Sequence, residues 1–208
     1  MKNFDLKLSV TVVLFTLSMI TNAQDVHFGL TQGFSFRSIE LGKPELEYED
    51  ECGHICEGLF VGVNAEFKLP TKHLYANTSL LYGFHEFCYD GKTQQEYCHT
   101  ENVQFVSIPM NLEFRLSLPA VLSFFVETGP ELKIPVNNRY LKDSDYRLDP
   151  VILGWTIAGG FRLGDHWKFS IKGEEWITKG VKEMAPSGKY VNCKKSTKSA
   201  HASVSFYF

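Results

Sequence analysis

Five cysteines carry the chemistry that is easiest to read from this sequence. They are Cys52, Cys56, Cys88, Cys98 and Cys193. In an exported chain disulfides are the default, and a bond between Cys88 and Cys98 would close a hairpin tip. Cys193 reaches Cys52 or Cys56 only if two loops lie side by side. Because the number of cysteines is odd, at least one stays free or pairs between chains.

Metal-binding and catalytic patterns are weaker. The segment 52–56 (Cys-Gly-His-Ile-Cys) and Cys98-His99 contain zinc-ligand residue types without the tight Cys-x-x-Cys spacing of a structural site. The acidic run 45–51 lacks the glycine-punctuated ligand spacing of a known calcium loop. His201 and Ser203 share one face of any strand, as a hydrolase or acyltransferase would need, although such residues also fill barrel interiors. We expect no metal, no cofactor and no catalytic residues.

A larger set of charged residues recurs at every second position in segments that are otherwise apolar. This spacing places the charges on one face of a β-strand. Five acids stand against seven bases, which predicts a network of ion pairs inside a closed structure. The set consists of Arg37, Glu66, Lys68, Glu113, Arg115, Glu127, Glu131, Lys133, Arg162, Lys168, Lys172 and Glu174.

The elements that must position these charges are segments of strict polar and apolar alternation. They are residues 26–38, 58–69, 73–85, 103–117, 121–133, 151–163, 167–177 and 199–208. On their apolar face the only charged residue is Glu175, as expected where side chains face lipid. The sequence therefore predicts an all-β fold, a closed antiparallel up-and-down transmembrane barrel of about eight strands.

The connections give this barrel a direction. Those after the second, fourth and sixth segments are short (70–72, 119–120 and 164–166), and the other four are long. Short periplasmic turns and long extracellular loops are typical of outer-membrane barrels. A soluble lipocalin-like ligand binder, with its apolar face inward, is the alternative that alternation alone leaves open. The last segment ends on Phe208, as expected for an exported barrel.

The first 23 residues differ in composition from the rest. Lys2 and Lys7 precede an apolar run over residues 8–20, and Thr21-Asn22-Ala23 follows it. This pattern predicts a signal peptide at 1–23 and one barrel domain at 24–208, located in a bacterial outer membrane and in contact with its lipid. The formal net charge of -3 gives no basis for a nucleic-acid partner.

Three strand motifs resemble the PorT-like outer-membrane β-barrel domain family. They are residues 106–115 (Val-Ser-Ile-Pro-Met-Asn-Leu-Glu-Phe-Arg), 125–130 (Phe-Val-Glu-Thr-Gly-Pro) and 155–161 (Trp-Thr-Ile-Ala-Gly-Gly-Phe). The resemblance implies a membrane barrel, and the namesake group implies secretion-machinery partners. Pro109 and Pro130 cannot donate a ladder hydrogen bond, so we expect β-bulges at both.

The long loops carry opposite charges. The first is rich in glutamate from Glu40 to Glu57, and the last is rich in lysine from Lys179 to Lys198. They either dock over the barrel mouth or are solvated independently. The sequence favours a non-enzymatic barrel without an open pore, whose disulfide-braced loops bind an extracellular protein or glycan. The alternatives are an accessory subunit of a secretion or envelope-assembly system, and the lipocalin-like binder.

Overall fold

The computed structural model describes residues 25–35, 39–41, 58–89, 99–118, 121–137, 146–178, 181–184, 190–192 and 198–208. The strands are β1 (Val26–Ser35), β2 (Ile39–Leu41), β3 (Gly58–Lys68), β4 (Leu74–Tyr89), β5 (His99–Ser117), β6 (Leu122–Pro135), β7 (Tyr146–Leu148), β8 (Ile152–Leu163), β9 (Trp167–Trp176), β10 (Val181–Met184), β11 (Tyr190–Asn192) and β12 (Lys198–Tyr207). Within these ranges there is no helix long and apolar enough to cross a membrane.

Eight of these strands form one closed antiparallel barrel, which confirms the predicted fold class. Each long strand pairs with the next long strand along the chain, in the order β1, β3, β4, β5, β6, β8, β9, β12. The pairing of β1 with β12 closes the sheet, from Gly29 opposite Tyr207 to Ser35 opposite His201. Every barrel strand therefore has a partner on both sides, which removes the exposed edges of an open sheet.

The register staggers the strands around the barrel. A path of paired residues that starts at Val26 and runs once around the wall ends at Ala200 in β12. The next residue, His201, pairs with Ser35 in β1. The path returns to β1 about ten residues beyond its start, and such a shear tilts the strands and sets the width of the lumen. An eight-stranded interior of this kind is just wide enough for side chains to fill it.

The barrel is apolar outside and polar inside. On the outer face, Val61, Ile157 and Ile171 are 58%, 61% and 66% exposed. On the inner face, Glu66 and Glu113 are almost completely buried. A membrane-spanning barrel has this arrangement, whereas a lipocalin-like binder needs an apolar lumen. The lipocalin-like alternative is therefore wrong.

The short connections lie together at one end of the barrel, which we call the turn end. Leu69 N donates to Leu74 O at 3.1 Å across the first turn, and Gly164, at φ 59°, shapes the third. β1 begins and β12 ends at this side, where Phe208 N donates to Phe28 O at 2.9 Å. The opposite side, which we call the loop end, carries the long connections.

The prolines interrupt hydrogen bonding without producing bulges, so the bulge prediction is wrong. The β4–β5 ladder has no pair at Pro109, and the β5–β6 ladder has none at Pro130, but the register is the same on both sides of each gap. No extra residue is inserted, because each proline costs only its own ladder bond. Thr78 Oγ1 donates to Pro109 O at 3.1 Å, which uses the carbonyl at the gap.

The loop end contains strands that alternation does not predict. β4 and β5 continue pairing beyond the barrel as far as Tyr89 opposite His99, and β2 pairs in parallel with the end of β4. A separate small sheet combines β10 with β7 and β11. In the first long loop, β2 thus pairs with β4. In the last long loop, β10 pairs with β7, which belongs to the third long loop.

Several predictions fall on residues that the structure does not describe. The signal peptide at 1–23, Arg37, Cys52, Cys56, Cys98 and Cys193 lie outside the described residues, and only the backbone of Cys88 is described, in β4. The predicted disulfides stay predictions.

Candidate functional site

The candidate site is the lumen, where the charged side chains of the alternating segments lie. Alternation turns every second side chain of the eight barrel strands inward, so each strand contributes polar groups at several depths. Among the described residues, ten charged groups line the lumen, five carboxylates and five cations, and nine of them are buried. They form two clusters, one towards each end of the barrel.

The turn-end cluster is held together by arginine. The Arg115 guanidinium donates from Nη2 to Glu66 Oε2 at 2.6 Å and from Nε to Glu113 Oε1 at 2.7 Å. The Arg162 guanidinium also donates to Glu66. The Tyr75 ring stacks on the Arg115 guanidinium, with 3.6 Å between the ring centroid and Cζ, which adds a cation–π contact.

The lysine of the same cluster extends the network to another strand. Lys168 Nζ donates to Glu113 Oε2 and to Glu127 Oε2, both at 2.7 Å. The Asn77 amide donates to the same two carboxylates, at 2.7 and 2.9 Å. Each carboxylate therefore has several donors, which is the condition under which a buried charge is tolerated. The turn-end cluster is Glu66, Glu113, Arg115, Glu127, Arg162 and Lys168.

The loop-end cluster consists of Glu131, Lys133, Lys172, Glu174 and His201. Lys172 Nζ donates to Glu131 Oε2 at 2.7 Å, and Lys133 Nζ donates to Glu174. Lys133 also lies 3.8 Å from Glu131 Oε1, so the two ion pairs are linked. These groups come from β6, β9 and β12 and cross the lumen to one another.

A hydrogen-bonded serine, histidine and glutamate lie within the loop-end cluster. His201 Nε2 faces Glu174 Oε2 at 3.2 Å and Ser199 Oγ at 2.8 Å, while His201 Nδ1 faces Ser35 Oγ at 2.8 Å. If Nε2–H donates to Glu174, then Nδ1 accepts from the Ser35 hydroxyl. This is the order of groups in a nucleophile–base–acid arrangement.

The surroundings of this arrangement do not admit a substrate. Ser35 is 0% exposed and His201 is 2% exposed. The adjoining cavity, which reaches His85 and His201, measures about 20 Å³, which is room for a single water. Glu174 is also bonded to Lys133 and accepts from Trp176 Nε1 at 2.9 Å, so its charge already has strong donors. The geometry can hold or relay a proton between fixed groups.

The predicted charges divide into two groups. Glu66, Glu113, Arg115, Glu127, Glu131, Arg162, Lys172 and Glu174 belong to the two clusters, together with Lys133 and Lys168. Lys68 does not, because it ends β3 at the rim of the turn end, where it pairs with Asp25 at 3.6 Å.

The serine that bonds to His201 Nδ1 is not Ser203, which the sequence places on the same face as His201. Ser203 points inward as His201 does, but its hydroxyl bonds to Ser170 Oγ at 2.6 Å. The serine at His201 Nδ1 is Ser35, on the neighbouring strand and at the opposite end of the chain. The alternation of β1 indicates that Ser35 faces inward, but only the β1–β12 register shows that it lies opposite His201. Within the described residues no three His, Cys, Asp or Glu side chains are arranged to hold a metal ion.

No protein-family model and no curated protein sequence matches this chain. Among solved structures, it is similar to the N-terminal β-barrel domain of Pseudomonas aeruginosa OprF (12% identity, 88% of this chain and 96% of that one, TM-score 0.45). It is also similar to the outer-membrane enzyme PagL (9% identity, 87% and 98%, TM-score 0.46) and to P. aeruginosa OprG (10% identity, 88% and 94%, TM-score 0.38). Because these TM-scores are below 0.5, the barrel fold is assigned from the strand pairing of this chain, and its function has to be argued from its own residues.

Proposed function

We propose that the chain is a non-enzymatic outer-membrane β-barrel protein without an open pore, and that its long loops are its binding elements. The observation that carries the proposal is the balance of ion-paired charges among the described residues of the lumen. In the part of the chain that the structure describes, five carboxylates and five cations pair within the lumen in two clusters. A lumen of this width that is filled by ion-paired side chains supports a rigid base better than a channel.

The outer wall supports the membrane location. Large apolar side chains cover it, and aromatic residues gather at the turn end. The Trp167 and Phe206 rings lie 4.9 Å apart, and Phe206 lies 5.7 Å from Phe208. Aromatic side chains prefer the interface between lipid and water, so this cluster fits one girdle of a membrane barrel.

The loop end supports a binding role for the loops. The β4–β5 hairpin continues beyond the barrel, β2 extends it, and β7, β10 and β11 form a second small sheet. Backbone pairing between segments of different loops gives a partly ordered surface, on which an extracellular protein or glycan has a defined shape to recognise. The predicted bonds among Cys52, Cys56, Cys88, Cys98 and Cys193 would brace the same surface.

The decisive experiment combines gel migration with conductance. The detergent-extracted mature chain is run unboiled and boiled, with and without reductant, and is then reconstituted into planar bilayers. We expect heat-modifiable migration, a reductant-dependent shift, and no steady conductance above the lipid background. A protein that stays soluble without detergent, or that opens stable channels, would contradict the proposal.

The PorT-like resemblance supports a second candidate, an accessory subunit of a secretion or envelope-assembly system. Shortening the four long loops separates the two. Loss of surface binding while other proteins still reach the surface supports the loop-binding role. Failure of other proteins to reach the surface, with this barrel still assembled, supports the accessory role.

A further inference from the structure

A cavity of about 60 Å³ lies in the middle of the lumen, between the turn-end and loop-end clusters. We call it the central chamber. Uncharged polar side chains dominate its wall, and single lysines from the two clusters, Lys168 and Lys172, reach it from either side. The uncharged part of the wall includes Thr31, Asn64, Asn77, Ser79, Asn111 and Ser203.

Two residues of this wall each have a side-chain amide oxygen that accepts no hydrogen bond from the described residues. These oxygens are Asn64 Oδ1 and Asn77 Oδ1, and both atoms are buried. The Asn77 orientation is fixed, because its Nδ2 already donates to Glu113 and to Glu127, at 2.7 and 2.9 Å. Exchanging its oxygen and nitrogen would break both bonds. A buried carbonyl that lacks a donor is strongly unfavourable, so a donor from outside the protein has to meet it.

We propose that the central chamber is a binding site for a small cluster of water molecules, which donate to Asn64 Oδ1 and Asn77 Oδ1. A water needs roughly 10–15 Å³ of such space, so about four to six fit in 60 Å³. The hydroxyls of the wall offer further acceptors and donors, and each water finds the two to four polar partners that a buried water usually has.

The charges of the wall favour water over an ion. A cation in the chamber would lie beside the ammonium groups of Lys168 and Lys172, which line it. An anion would meet the carboxylate of Glu127 and the two amide oxygens. A neutral molecule that both donates and accepts satisfies the wall without adding charge to a balanced lumen.

Ion pairs of the two clusters flank the chamber on both sides. Towards the loop end, Lys172 is tied to Glu131 at 2.7 Å. Towards the turn end, Lys168 is tied to Glu113 and Glu127, both at 2.7 Å. We expect these ion pairs to slow the exchange of chamber water with bulk solvent, so that magnetisation can pass directly from the bound water to nearby amide protons.

The experiment measures magnetisation transfer from water to the protein by proton-detected solid-state NMR, with the full mature chain in deuterated lipid vesicles. The probe is the Asn77 side-chain amide. The internal reference is the Trp176 indole N–H, which is buried, donates to Glu174 at 2.9 Å and does not line the chamber. We expect transfer to Asn77 to be at least about threefold faster than to Trp176. Equal rates would mean a dry chamber, and a rate that changes with sodium concentration would mean an ion; either result overturns the proposal.

A matched pair of variants adds a second test of the chamber. Ser79→Val fills the chamber wall, whereas Ser123→Val alters a serine at the turn end, where Ser123 bonds to Ser117. Folding of both variants is checked by heat-modifiable migration. Loss of the fast transfer at Asn77 in Ser79→Val, with retention in Ser123→Val, supports the chamber. Retention in a folded Ser79→Val variant contradicts it, and if that variant fails to fold, the comparison with Trp176 decides.

Discussion

Glu113→Gln is the most informative single change, because Glu113 joins two cations of the turn-end cluster. Its carboxylate accepts from Arg115 and from Lys168, both at 2.7 Å, and it is 0% exposed. Glutamine keeps the shape but removes the charge. Arg115 keeps Glu66 and Lys168 keeps Glu127, so the loss falls at the lower end of the range for breaking a buried pair. We expect the free energy of unfolding to fall by about 3 kcal/mol.

The double variant Glu113→Gln/Arg115→Met tests whether charge balance is the cause. It removes one anion and one cation, and each of the two remaining cations keeps one carboxylate, Lys168 with Glu127 and Arg162 with Glu66. We expect the double variant to be more stable than the sum of the single losses predicts, by a coupling energy of about 2 kcal/mol.

The assay is urea unfolding in phospholipid vesicles, followed by tryptophan fluorescence and gel migration. Glu175→Gln is the control, because Glu175 and Lys198 form an exposed pair at 3.8 Å, which contributes at most about 1 kcal/mol. The reasoning is refuted if Glu113→Gln unfolds like the control, or if the losses of the two single variants simply add.

Three further predictions test the wall and the lumen. Ile171→Arg places a charge in the middle of β9 on the lipid face and is expected to destabilise the barrel by about 2–4 kcal/mol in vesicles, as seen in the same urea titration. Gly62→Val is expected to cost more than about 3 kcal/mol and to abolish heat-modifiable folding, because a Cβ at Gly62 lies 2.1 Å from Leu80 O. The matched Gly173→Ala change, whose Cβ meets nothing nearer than 3.9 Å, should leave migration and unfolding unchanged within about 0.5 kcal/mol. Ser35 is expected to resist fluorophosphonate labelling in the folded barrel, and labelled Ser35 in a mass spectrum would disprove the sealed lumen.

The eight barrel strands were predictable because lipid outside and ion pairs inside impose one period along every strand. The predicted segment 58–69 and the observed β3 (Gly58–Lys68) differ by a single residue. The loop-end strands β2, β7, β10 and β11 were not predicted. Each has three or four residues. β2, β7 and β10 pair with segments distant in sequence, and β11 pairs with nearby β10, so backbone pairing holds them without alternation in their own sequence.

The site was predictable in composition but not in connectivity. Parity along a strand places Glu113, Lys168 and His201 in the lumen, but it does not give the depth at which strands face one another. That depth depends on the stagger, which appears only when the ladder closes between β1 and β12. For this reason the Ser35 partner of His201 was missed, and Lys68 was assigned to a network that begins deeper in the lumen.

Lumen neutrality links the sequence to the proposed role of the loops. An unequal number of buried charges would have to be compensated by mobile ions or by a change in protonation. Here the inward-facing described residues bring five carboxylates to five cations, and direct bonds between them leave no net charge for such ions to compensate. A barrel with this interior provides little space and no net charge for a permeating solute. The proposed binding role therefore falls to the loop end, where β2 and the small sheet of β7, β10 and β11 form part of the surface.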